Sequence, residues 1–456
     1  MRNSLSCFLF ALLTVLGCGP RRPDGASSQS ESPASLTAAT AIRVRQSGGS
    51  WQVYRLPDLT PVRSGTGRLP RIDRLIGLDP ESDQLFALTL RDELLAVDLL
   101  GGRIDTVATH VVAAVLGPDG TLYGVDRAHR VTALKRRVRR VWPDSLPATP
   151  RDLFGAADQR LLIVTRGGEG QLVIASADKS PAGHPIPLAS DVTATLWGDV
   201  VAVAVDSGVA ILDPAGGRPP AFIPMRDHPR AVAFSPAGHR LYVARRTADG
   251  LVVVDRYTHR ELDRVRLPAP AAVLRPDPLG RWLLVGPSSA DSAWIVDLPN
   301  RSLRGVTATP WGADLPAIAP DGTLLSRQGE DVVAIDPEAL AERARVQGGA
   351  ADLWLVTSWH PRGMPTPTTG DAPTTAEASG EGPVYVQVSV SQNREWSTEN
   401  AQQLARAGLP AQVLAPRSPE EGYRVVLGPY PTRAEAEAIG RKLGRPFWIF
   451  QADGRR

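Results

Sequence analysis

From about Ala41 to Trp359, short apolar runs alternate with clusters of Gly, Pro, Asp and Asn, and the alternation repeats at a period near 40. One landmark is a turn leading into an apolar strand, as in Pro118-Asp-Gly-Thr-Leu-Tyr123, Pro236-Ala-Gly-His-Arg-Leu-Tyr242 and Pro320-Asp-Gly-Thr-Leu-Leu325. The other is an apolar strand that ends on a turn residue, at positions 98, 135, 176, 213, 255, 297 and 336, which gives steps of 37, 41, 37, 42, 42 and 39. Alternation at period two predicts strands, and each unit holds three or four of them. A period near 40 with about four strands per unit predicts β-propeller blades. Seven copies predict seven blades over 41–359, with the strands Ile42-Arg-Val-Arg45 and Trp51-Gln-Val-Tyr54 completing the last blade and closing the ring.

The pattern changes after Trp359. His360 to Gly382 is rich in Pro, Thr and Gly and predicts a linker. Beyond it the order reads strand 384–390, helix 397–407, strand 411–415, strand 423–427, helix 432–443 and strand 447–451. That is βαββαβ, a four-stranded antiparallel sheet with two helices on one face. Thr432 stands three residues before Glu435, the spacing of a capping box, and Gly428-Pro429 is expected to end the preceding strand. The fold class is therefore mainly β, a propeller followed by a small α+β domain at 383–453. Alternation turns Val386, Val388, Val390, Val413, Tyr423, Val425, Leu427, Phe447 and Ile449 toward the helices. Tyr385, Gln387, Ser389, Gln412, Arg424, Val426 and Trp448 fall on the opposite face. Aromatic rings, amides and an arginine on an uncovered sheet suit a sugar chain, whose apolar faces and hydroxyls they match.

Composition adds an address. The 456-residue chain is 43% apolar with a formal charge of +3, so bulk electrostatics favour no polyanionic partner. Met1 to Gly17 has a charged start and an apolar run, Phe8 to Leu16, too short to span a bilayer, which predicts a signal peptide. It ends in Val15-Leu16-Gly17-Cys18, which resembles a bacterial lipobox and implies cleavage before Cys18 and acylation of its thiol. Cys7 would leave with the signal, so the mature chain would hold one cysteine, already lipidated, and no disulfide. Residues 18–40 then form a flexible tether. The expected location is the envelope, as a membrane-anchored lipoprotein facing the periplasm, with Gly19 after the cysteine pointing to the outer membrane.

Catalytic chemistry is not expected. The seven histidines are scattered singly, and no metal-ligand spacing, nucleophile elbow or phosphate loop occurs. No cofactor, metal or nucleic-acid partner is expected. The recurrent aspartates read as turn caps. Lys135-Arg-Arg-Val-Arg-Arg140 reads as a solvated edge strand whose charge discourages edge pairing.

Two resemblances sharpen the picture. The units Ser235-Pro-Ala-Gly-His-Arg-Leu-Tyr-Val243 and Val252-Val-Val-Asp255 are similar to those of YVTN-type propellers. Tyr423-Arg-Val-Val-Leu-Gly-Pro-Tyr430, followed by Thr432 and a Glu-Ala-rich helix, resembles the second half of the SPOR (sporulation-related repeat) family, with Tyr430 where the family usually has Phe. Val384-Tyr-Val-Gln-Val-Ser389 is similar to its first strand. The SPOR resemblance covers about a sixth of the chain. It implies binding of peptidoglycan glycan strands stripped of peptide stems, as at division septa, through the open sheet face, with Gln387 and Arg424 at ligand-contact positions. Face geometry adds Tyr385, Ser389, Gln412 and Trp448 to that site. The expected role is a non-catalytic envelope lipoprotein that grips glycan with its tail and recruits a protein partner with its propeller. Two rival roles are a propeller lipoprotein assisting outer-membrane protein assembly, and a propeller hydrolase or lyase acting on wall or sugar material.

Overall fold

The computed structural model describes residues 39–359, 383–391, 394–406, 409–416, 423–442 and 447–451, apart from 67–68, 157–158, 166–169 and single or paired turn positions between 188 and 299. The expected signal peptide, Cys18, the expected tether up to residue 38 and the linker expected at 360–382 lie outside the described residues; Ala39 and Thr40, expected in the tether, belong instead to the first strand.

Residues 39–358 form eight four-stranded sheets, one more than the sequence period counts. Seven are sequential meanders: 72–108, 111–145, 150–186, 191–224, 229–265, 271–308 and 317–346. Their third strands end at or beside the seven landmarks. The eighth is composite. Its strands Ala39–Val44, Ser50–Arg55 and Thr60–Thr66 come from the start of the chain and its fourth, Leu353–Ser358, from the end, paired Thr40 to Thr357 and Val44 to Leu353. The leading strands do close the ring, but as three quarters of a sheet of their own and not as an addition to the seventh.

What holds the ring together is burial between sheets. Eight apolar clusters each draw on two successive sheets, and two of them join the composite sheet to its neighbours on either side. A middle strand is therefore covered on both faces, which is why Leu161–Thr165 and Val201–Val205 are apolar or small throughout and buried at every position. The ring is fastened at Trp359. Its indole Nε1 donates to Asp83 Oδ1 at 2.9 Å, and both residues are buried.

The aspartates at the landmarks act as turn caps. Asp98 accepts from the amides of Leu100 and Gly101 at 3.0 and 2.8 Å, and Asp255 from Tyr257 and Thr258 at 2.9 and 2.8 Å. Asp297 and Asp336 do the same for Asn300 and Glu338. Burial pushes the Asp98 carboxyl up, yet the Gly101 and Leu100 amides and Arg137 hold it below the usual carboxylate range. The basic run is only in part the expected edge strand: Lys135 ends the third strand, Arg136 and Arg137 form the turn, and the outer strand begins at Val138. Lys135, Arg136 and Arg137 pair with Asp119, Glu81 and Asp98 at 2.6, 3.0 and 3.2 Å, and Val138–Ser145 is an exposed outer strand.

The tail is one antiparallel sheet. Val384–Ser391 and Tyr423–Tyr430 are its central strands, and Ala411–Leu414 and Trp448–Gln451 its edges. The helices Arg394–Arg406 and Arg433–Lys442 lie on one face. There Val386, Val388, Val425, Leu427, Leu404 and Ala436 form a core, with Val413, Phe447 and Ile449 packed against it. The N-cap half of the capping box forms: the Glu435 amide donates to Thr432 Oγ1 at 3.2 Å.

Candidate functional site: the outer face of the tail sheet

The pairing register builds the site. Gln387 lies opposite Val426 on one side and Trp448 on the other, and Val426 lies opposite Gln412. Residues directly paired across an antiparallel sheet share a face, so Gln412, Val426, Gln387 and Trp448 form one row across all four strands. The neighbouring positions Val386, Leu427 and Ile449 sit in the helix-side core, which fixes the row on the other face. A second row joins Arg424 to Leu414 and to Val390, and a third joins Tyr385 to Phe450.

Gln387, Arg424, Tyr385 and Gln412 are half-buried, and Val426 is fully buried at the centre of its row. The polar side chains of this face are thus partly covered by their neighbours. Arg424 Nε is sealed from solvent. The Gln412 amide donates to the Gly428 carbonyl at 3.2 Å, which orients it and leaves its own carbonyl oxygen available as an acceptor. Tyr385 lies beside Gly428, where a Cβ would meet its ring at 3.2 Å.

Two departures from simple alternation change the site. The register shifts between Gln387 and Ser389, so that Ser389 pairs with Val425, a helix-side residue, and Val390 pairs with Arg424. The inserted Val388 forms a bulge, and the period-two extrapolation that placed Ser389 on the open face and Val390 on the covered one stops there. Nor does the strand stop at Gly428-Pro429; it runs on to Tyr430 through a second shift, with Val384 opposite Tyr430 and Val386 opposite Leu427. Gly428 takes φ +124°, and the bulge removes the demand that Pro429 donate to a ladder. Tyr430 thereby reaches the core, 8% exposed. Phe450, opposite Tyr385, was missed although it stands two residues after Trp448, where the same alternation puts it on this face.

The rival hydrolase reading asks for acids and histidines gathered at one mouth of the ring. Among the described residues no group of three or more His, Cys, Asp or Glu could hold a metal ion. Two partly buried acids of the ring are held in ion pairs: Asp199 pairs with Arg256, and Asp314 takes Arg327 on both oxygens at 3.0 and 2.8 Å.

Comparison with known proteins agrees with this geometry. Residues 380–446 match the model of the SPOR domain. The comparison with curated proteins finds no match. Among solved structures, the dihydro-heme d1 dehydrogenase NirN in complex with DHE is similar at 12% identity and a TM-score of 0.53, over 73% of this chain and 76% of that one. Apo AztD from Citrobacter koseri is similar at 10% identity and a TM-score of 0.52, over 71% of this chain and 98% of that one. At such identities these likenesses speak for the fold, a β-propeller. The chain is a propeller with a C-terminal SPOR domain. SPOR domains bind peptidoglycan, which makes this a cell-envelope protein facing the periplasm.

Proposed function

We propose that the outer face of the tail sheet grips peptidoglycan glycan strands, above all strands stripped of their peptide stems, and that the chain works by binding and localisation without catalysis. The observation that carries this reading is the row Gln412–Val426–Gln387–Trp448, with Arg424 in the adjacent row, on the helix-free face of the tail sheet, all but Trp448 within the SPOR-matching residues 380–446. A helix-free sheet face suits an extended, ribbon-like ligand. Amides can accept from and donate to hydroxyl and acetamido groups, and the Arg424 fork can meet a lactyl carboxylate. Acylated Cys18 would hold the protein to the outer membrane. The tether would give it reach, and the ring would recruit a protein partner at sites of wall remodelling or division.

The test is sedimentation of the full chain with cell-wall sacculi, intact and amidase-treated. Removal of stems is expected to increase binding, and deletion of residues 383–456 to abolish it. Equal sedimentation of the deleted chain would end the proposal.

A further inference from the structure

A cavity of about 980 Å³ opens against the inner strands of three successive sheets, Asp191–Ala194, Pro229–Phe234 and Ala271–Pro276. Its volume lies within the range of small-molecule sites, about 300–1,000 Å³. The inner strands share an irregularity. In five of the eight sheets the register shifts across the second residue, which leaves Asp73, Val112, Arg151, Arg230 and Ala272 outside the ladder. Such bulges re-aim a side chain. At Arg230 the bulge leaves the guanidinium exposed on the cavity lining while both neighbours, Pro229 and Ala231, are buried.

Arg230 has no carboxylate partner among the described residues. The second cation on the lining, Arg246, is held by its backbone amide to the His228 carbonyl at 2.9 Å. Its nearest carboxylate is Asp206, at 3.9 Å and 78% exposed, beyond hydrogen-bond reach and largely screened by water. The one acid on the lining is spent elsewhere. Asp191 accepts the amides of Val192 and Val232, each at 2.9 Å, and burial pushes its carboxyl up. Phe234, Val273 and Leu274 add apolar surface to the same walls. Two arginines against one hydrogen-bonded acid, over an apolar wall in a concave site, favour an oxyanion attached to an apolar body.

We propose that this cavity binds a carboxylate with an apolar body, with Arg230 and Arg246 as its anion contacts. The site is independent of the tail, and its failure would leave the glycan reading untouched.

The test is ligand-observed NMR on the full chain in mild detergent. The probes are benzoate, hydrocinnamate and octanoate, each with its neutral amide, and pentapeptides ending in Phe with free or amidated C-termini. Acids are expected to bind at least tenfold more tightly than amides, and Arg230→Ala and Arg246→Ala each to weaken acid binding by about tenfold, a change of about 1.4 kcal/mol. Arg230→Lys, with its charge kept and its fork lost, should fall between, and guards against misfolding of the alanine variant. Tighter binding of the free-ended peptide would identify the ligand as a chain terminus, and tighter binding of the small acids as a free metabolite; either supports the site. No acid preference, no saturable binding by any probe, or unchanged binding in both alanine variants would overturn it.

Discussion

Ring closure offers the sharpest test of how the propeller is held. Trp359 is 2% exposed and packs in the cluster that joins the composite sheet to the next one. Its Nε1 donates to Asp83 Oδ1 at 2.9 Å, a contact between positions 276 residues apart. Trp359→Phe keeps an aromatic ring and deletes the donor. Loss of one donor to a buried carboxylate costs about 1–3 kcal/mol, and the smaller ring leaves a void worth roughly 1 kcal/mol more. The expected loss is therefore about 2–4 kcal/mol, or roughly 4–8 °C in Tm at about 2 °C per kcal/mol for a unit this large. The assay is urea unfolding of Trp359→Phe, Asp83→Ala and the double variant. Because the two residues share one bond, the cycle should give a coupling of about 0.5–3 kcal/mol. Additive losses, or a Trp359→Phe variant within about 0.5 kcal/mol of the parent, would mean that the ring does not depend on this fastening.

The remaining predictions concern the site, the anchor and acid stability. Gln387→Ala and Arg424→Ala should each weaken binding to amidase-treated sacculi by about threefold to tenfold or more, as expected for the loss of one neutral or one charged hydrogen bond; Gln402→Ala, exposed on the first helix, should not. Cys18→Ser should abolish incorporation of labelled fatty acid in cells and release the protein from the membrane fraction. Burial pushes the Asp199 carboxyl up, but Arg256 and Thr195 more than offset it, so its folded-state value lies below the ordinary one. Its stabilisation is then full above the unfolded value near pH 4 and is lost as pH falls through the folded value; Asp199→Asn should flatten the acid limb of a stability–pH curve. The Tyr430 hydroxyl is buried without a hydrogen-bond partner among the described residues. Tyr430→Phe should therefore leave thermal stability unchanged or raise it by up to about 1 kcal/mol, and a clear loss would show that the hydroxyl is engaged.

Much of this was legible in the chain. A strand buried on both faces must be apolar throughout, and a turn that reverses it needs Asp, Gly or Pro. The repeat therefore printed seven of the eight sheets at visible spacing. The tail was legible for a different reason: its two valine-rich strands and its Thr432–Glu435 cap are local patterns, read without knowledge of any partner. Gln387, Gln412, Arg424 and Val426 fell on the outer face as alternation required, because no bulge intervenes between each of them and its reference core residue.

What local pattern could not carry was any quantity fixed by pairing at a distance. The eighth sheet exists only because residues 39–66 meet 353–358, and no periodicity within either piece announces the other. Ser389 left the expected row because one residue, Val388, is extra relative to the opposing strand, and strand Tyr423–Tyr430 outran its proline because a bulge excused the missing donor. The cavity beside Arg230 likewise depends on three strands from different repeats. Sequence determined which segments become strands, helices and turns, since those follow from each residue's own chemistry and its near neighbours. The tertiary structure alone decided register, ring size and which charges meet, since these are set by the free energy of packing surfaces that lie far apart along the chain.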